Sequence, residues 1–335
     1  VYADGRIPQS ALNPVALRLQ DRFYPAPNTG GTTALTANNY RETVDAERSK
    51  PWYATARFDH NFGNNDRIFG RFTFHQATNP VWEGNLPTIG MRQALRQNKA
   101  LTFSYTRILG PSLINELRYG HAYNNNPISG PIRGLELVDS LRLRGLAPGL
   151  PDIGGILKVS FPGTALTGLT QIDVQNPGFL NRIHQVQDQV TWLAGTHSLK
   201  FGTDIRRVDW EEMIAPANLF GQIDFTGRYT GHPYADFLLG LPNTASRAFP
   251  PVPTLRRRWT SDFFVQDDWK IRRDLTLNLG LRYDLHPGWV ERDGRLAFFD
   301  VTSGAIVIAD DGSNKVSLLM PSSYVGIVTA SSQGL

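Results

Sequence analysis

Cysteine is absent from the 335 residues, and methionine occurs only three times. Without cysteine there is neither a disulfide framework nor a thiolate-bound metal, although the compartment stays open on that ground alone. No run of about 18 apolar residues exists, which excludes a transmembrane helix. An excess of one charge is also lacking. The 34 Lys and Arg are nearly matched by 30 Asp and Glu, a formal net charge of +4, and they are scattered, so no nucleic-acid partner is expected. The seven His are dispersed and no H-E-x-x-H or G-x-S-x-G occurs. Neither a metal centre nor a hydrolase site is therefore expected; the chain reads as a non-enzyme without a cofactor. It opens on Val1-Tyr2-Ala3-Asp4 with no basic-then-apolar leader, which leads to the expectation of a piece of a longer protein.

What is present is alternation. Leu275, Leu277, Leu279, Leu281, Tyr283 and Leu285 are interleaved with Thr276, Asn278, Gly280, Arg282 and Asp284. Such a pattern means a strand with one apolar and one polar face, about twice the usual strand length. The same design recurs in three further hairpins. Trp52 to Phe62 turns at Gly63–Asp66 into Ile68 to Phe74, and Leu101 to Tyr105 turns at Leu109–Ser112 into Leu113 to Tyr119. Val186 to Trp192 turns at Ala194–His197 into Leu199 to Ile205, and Phe263 to Trp269 leads into the leucine strand. Asp188 and Asp267 interrupt the apolar faces.

Within each hairpin the turn is short. Between hairpins the connections are long, spanning Gln76 to Asn98, Asn124 to Asn181 and Glu211 to Arg256. Short turns on one side and long loops on the other, with strands of about 9–11 residues, fit an outer-membrane barrel. Trp52, Trp192, Trp210, Trp259 and Trp269 lie at or near strand ends, where aromatic girdles form. The fold class expected is therefore all-β, an antiparallel transmembrane β-barrel of which this chain supplies about eight strands. Residues 1–50 are expected to be a loop region with a short helix begun by Asn13-Pro14, residues 51–286 the barrel hairpins, and residues 287–335 a truncated extracellular loop. "YADFLLGL" (Tyr234 to Leu241) does not alternate and reads as a short helix or a surface contact. "NNNP" (Asn124 to Pro127) and "DDGS" (Asp310 to Ser313) read as loop and turn.

The blocks "RIPQSALNPVALRLQDRFYPAPN" (Arg6 to Asn28), "RFDHNFGNNDRIFGRFTF" (Arg57 to Phe74), "HSLKFGTDIRR" (His197 to Arg207), "ADFLLGLP" (Ala235 to Pro242) and "FFVQDDWKIRRDLTLNLGLRYDL" (Phe263 to Leu285) resemble Oar-like TonB-dependent outer-membrane transporters. The resemblance covers most of Arg6 to Asp300. It implies a barrel of about 22 strands, an N-terminal plug, coupling to the TonB complex, and uptake or export of a bulky solute. The chain departs from that plan in having no recognisable leader, regulatory domain, TonB box, plug or aromatic-ended last strand. It is expected to be an internal barrel fragment, with plug and TonB contacts made through other parts.

On this reading Arg57, Arg71, Arg118, Gln187, Arg206 and Arg282 are candidates for the polar lumen, meeting a plug or an unknown solute. Arg256, Arg257 and Arg258 are candidates for holding lipopolysaccharide phosphates, with outer-membrane lipid as the partner. Adjacent Asp267 and Asp268 point to opposite faces and cannot chelate a cation together. Two alternatives remain at this stage. One is a stand-alone eight-stranded barrel with a structural or adhesive role. The other is a secreted carbohydrate-binding β-sandwich, in which Leu275 to Leu285 would be buried between sheets.

Overall fold

The computed structural model describes residues 5–29, 39–43, 48–82, 85–132, 134–142, 155–170, 178–214, 218–247, 252–308 and 327–329; "DDGS" lies outside them. After helix α1 (Pro14–Phe23) come β1 (Trp52–Phe62), β2 (Asp66–Trp82), β3 (Met91–Gly110) and β4 (Leu113–Ser129). Helix α2 (Gly134–Leu141) and β5 (Lys158–Ser160) precede β6 (Gly178–Ala194) and β7 (His197–Ile214). Then follow β8 (Gln222–Asp224), α3 (Pro233–Leu239), β9 (Thr244–Ser246), β10 (Val252–Arg272) and β11 (Leu275–Leu285). Short strands β12 (Val290–Glu291), β13 (Ala297–Asp300), β14 (Ala305–Ile308) and β15 (Ile327–Thr329) follow.

Eight long strands form one antiparallel sheet in the order β1-β2-β3-β4-β6-β7-β10-β11, with β12 beside the upper part of β10. Neighbours in space are thus neighbours along the chain, a meander. Among the described residues no ladder joins β1 to β11, so the sheet does not close on itself. A closed eight-stranded barrel requires that ladder.

The strands are longer, and the connections shorter, than alternation suggests. β2 continues to Trp82 and β3 begins at Met91, with Gln76 opposite Gln97; β4 runs through Asn124–Pro127, which pair with β6 instead of forming a loop. The physical reason is that strand residues outside an apolar medium need no apolar face, so the period-2 signal fades while the backbone ladder continues. All four tight turns lie at one end of the sheet and the long connections at the other.

The buried core does not lie between strands. It is built from the connections: Leu19 and Phe23 of α1, Leu137 and Leu141 of α2, Val159 of β5, Phe237 of α3, and Ile89, Phe161, Leu169 and Phe225. Its helices follow from local chemistry. Asn13 caps α1, its side chain accepting the N–H groups of Val15 (2.8 Å) and Ala16 (3.2 Å), with Pro14 at the first turn. "YADFLLGL" forms α3, whose fully buried Asp236 accepts the N–H groups of Tyr229 and Thr230 and the Thr230 hydroxyl. Between α1 and the rest run Arg18 to the Leu141 carbonyl, Tyr234 to Gln20, and Thr88 to the Phe23 carbonyl. Segments far apart in sequence thereby form one packed unit at the long-loop end.

Candidate functional site

Register decides which side chains share a face. One line across all eight strands runs Phe58, Gly70, Phe103, Tyr119, Val186, Ile205, Ser261 and Leu285. The adjacent line runs Asp59, Phe69, Ser104, Arg118, Gln187, Asp204, Asp262 and Asp284. One surface of the sheet is therefore apolar and the other polar. The apolar surface is uncovered: Leu281 is 71% exposed, Phe58 58% and Phe263 47%. A sandwich would bury these residues, and an apolar surface of this extent in water is an association site.

Charged groups bracket the apolar strip at both ends. On β7 the same face holds His197 and, ten residues on, Arg207, with only Leu199, Phe201, Thr203 and Ile205 between them. On β10 it holds Asp267 and Arg257, separated by Val265, Phe263, Ser261 and Trp259. Ten residues span about 33 Å of strand, or about 25 Å of height when tilted near 40°, which is the height of the apolar band of an outer-membrane barrel. At the short-turn end, Asp267 meets His197 at 2.6 Å and Asp188 meets Asn115 at 2.7 Å. The two aspartates that break the apolar pattern are thus hydrogen-bonded at its edge.

On the polar face, register brings together all six lumen candidates. Arg57, Arg71 and Arg206 lie on one cross-strand line, and Arg118 and Gln187 on the next. Arg282 lies opposite Phe264 one line further on. Most are neutralised locally. Arg57 pairs with Asp59 (2.6 Å), Arg118 with Glu116 (2.7 Å), Arg206 with Asp204 (3.6 Å), and Arg282 with Asp284 (2.7 Å) and Asp262 (3.3 Å). Asp204 also accepts the amides of Gln185 and Gln187. Between Arg118, Gln187, Asp204, Asp262 and Arg282 lies a pocket of about 170 Å³. Gly202 makes room for the Phe264 ring beside it, where a Cβ would come within 2.9 Å of that ring. Arg71 faces Arg57 directly across strands, a like-charge pair that is unfavourable without an anion nearby.

The family model described as "Outer membrane beta barrel domain" matches residues 1–326. The chain belongs to the outer membrane beta barrel domain family. It is an antiparallel β-barrel protein of the outer membrane. In this barrel wall the uncovered apolar face meets lipid, since in hydrocarbon only a closed ring of strands satisfies every backbone group. The polar face accordingly belongs to the lumen. No curated protein matches the chain. Among solved structures it is similar to the outer membrane transporter YddB from Escherichia coli, at 9% identity and a TM-score of 0.31, covering 81% of this chain. The chain spans about two-fifths of that transporter's length, 39%, and a likeness at this level carries no functional argument.

The barrel divides the three consecutive arginines. Arg257 lies opposite Asp209 on the outward face, whereas Arg256 and Arg258 face the lumen side. Arg256 pairs there with Glu212, and the Arg258 guanidinium lies 5.7 Å from the Trp289 ring. Three adjacent strand residues cannot share one surface, because successive side chains alternate. Trp210 likewise leaves the outward girdle: it stacks on Phe179 at 4.6 Å on the lumen side. The carboxylates that hold the lumen arginines, Glu116, Asp204 and Asp262, were not singled out from sequence. Their signal was present, since each occupies a polar position of an alternating strand. Among the described residues, no group of three or more His, Asp or Glu is placed to hold a metal ion.

Proposed function

We propose that this wall is part of a TonB-dependent transport barrel that takes up a bulky solute through its lumen. The observation that carries the proposal is the combination of two edge strands, β1 and β11, each paired along one side only among the described residues, with a continuous charged face between them. Backbone groups on an edge strand in hydrocarbon demand further strands, and a barrel wider than eight strands encloses space for a plug or an aqueous path. The lumen network of Arg118, Asp204, Asp262 and Arg282 supplies paired charges for a plug surface. Arg71, which faces the Asp59-paired Arg57 and has no ion-pair partner of its own among the described residues, offers a site for an anionic group of the plug or the solute. The resemblance of "ADFLLGLP" and the Phe263 to Leu285 block to Oar-like transporters supports the TonB-dependent subtype, with long loops outside the cell and tight turns in the periplasm.

The test is accumulation of labelled oligosaccharides, peptides and metal chelates by cells making the intact protein. Uptake of at least one solute class is expected to disappear both when the protein is removed and when TonB is inactivated. Uptake that persists unchanged without TonB overturns the TonB-dependent reading.

A further inference from the structure

We propose that an outward-facing basic cluster at the long-loop end of the apolar strip binds the phosphate headgroup of an outer-leaflet lipid. The proposal takes the leaflet from the orientation given above; the site itself rests on geometry. One cross-strand line on the outward face runs Lys99, Tyr123, Arg182, Asp209 and Arg257. The next line toward the apolar strip brings Arg207 opposite Trp259. Asp209 has a side chain only 6% exposed, and it takes Arg207 Nε on one oxygen at 3.0 Å and Arg257 Nε on the other at 2.6 Å. The carboxylate thus fixes two guanidiniums side by side. Arg182 pairs with outward-facing Glu211. Four cations, Lys99, Arg182, Arg207 and Arg257, stand against two carboxylates, so the cluster stays positive.

Depth distinguishes this cluster from an ordinary wet rim. Ile205 and Trp259, two residues closer to the strip than Arg207 and Arg257, lie on the same face. Trp259 is 50% exposed, with the Arg207 guanidinium 5.7 Å from its ring. An aromatic ring at the boundary with cations just beyond it marks headgroup level. At the opposite end of the strip the outward face carries Asp66, Asp188 and Asp267, with Arg107 paired to Asp66, so the excess of positive charge lies at the long-loop end. Arg257 binds Asp209 through Nε, and among the described residues its terminal nitrogens have no partner. A planar fork held in this way suits the oxygens of a phosphate.

The intact protein, inserted into vesicles of equal parts phosphatidylcholine and phosphatidic acid, is extracted and its retained lipid weighed by native mass spectrometry. Phosphatidic acid is expected to be retained preferentially. Arg207→Gln with Arg257→Gln should lower that retention by about fivefold for each arginine removed. Arg273→Gln, in the tight turn at the far end, should leave it unchanged, and excess inorganic phosphate should not displace the lipid. Equal retention of the two lipids by the unaltered protein overturns the proposal, whether or not the variant folds; so does displacement by inorganic phosphate, or an equal loss in Arg273→Gln. A protein that does not insert into the vesicles overturns the barrel reading and this proposal together, whereas insertion without selectivity overturns this proposal alone.

Discussion

Gly240 lies against the side chain of Asn13, at the opposite end of the wall-forming sequence. Asn13 caps α1 and donates its backbone N–H to the Leu238 carbonyl at 2.8 Å, while Gly240 ends α3 in the left-handed region at φ 69°. A Cβ on Gly240 would collide with the Asn13 amide. Two of the sequence blocks that bear the family resemblance are thus the two halves of one contact.

Gly240→Ala is therefore expected to loosen the loop unit while leaving the strands folded. Left-handed backbone and the steric clash act in the same direction, and a cost of about 1–3 kcal/mol is expected. Limited proteolysis checks this: cleavage should accelerate within 134–142, 155–170 and 218–247, with the strand fragments unchanged. Equal protease resistance in the variant would contradict the contact.

Facing can be tested within two adjacent residues. Leu279→Arg places a charge in the middle of the lipid-facing row, at a cost of about 2–4 kcal/mol. Asn278→Arg, opposite Asp268 on the lumen face, should be far milder. A refolding titration in lipid that finds the two equal would refute the assignment of faces.

The loop unit should weaken in alkali. Burial pushes the Tyr24 phenol well above its ordinary value, and Tyr234 is raised too, first by burial and then by the charge of Asp21. An unfolded tyrosine ionises near pH ~10. The raised folded value means that the stability contribution is complete below that pH and is lost as pH climbs toward the folded pKa. The Tyr24 hydroxyl is buried and has no partner among the described residues, so Tyr24→Phe should fold normally. Near-ultraviolet circular dichroism should show alkaline loss of the loop signal, shifted upward in the Tyr24→Phe, Tyr234→Phe double variant. An identical transition in both proteins would contradict this account.

Legibility followed the solvent. The leucine strand was readable to the residue, Leu275 to Leu285, because lipid demands an apolar side chain at every second position. The six lumen candidates were likewise readable as sharing a face, strand by strand. The outer halves of β2 and β3 were not: residues 76–82 and 91–98 lie beyond the apolar strip, and nothing in their composition distinguishes a strand from a loop. "YADFLLGL" was visible as an apolar run, but its packing against Phe23 and Tyr24 depends on contacts more than 200 residues apart in sequence. The outward cluster of Arg182, Arg207, Asp209 and Arg257 depends on the register between strands, which alternation within one strand does not encode. The same limit explains why Arg256 to Arg258 read as a single patch.

The central claim is that a polar-lumen, apolar-lipid wall runs through β11, and the absence of native cysteine makes a direct test possible. Single cysteines placed at each position from 275 to 285 carry a fluorophore, and the protein is inserted into vesicles. Quenching is then compared between a lipid-phase quencher and an aqueous one. The account predicts strict alternation, with 277, 279 and 281 quenched from the lipid and 278, 280 and 282 from water. Uniform aqueous quenching, or quenching without a period of two, would contradict it.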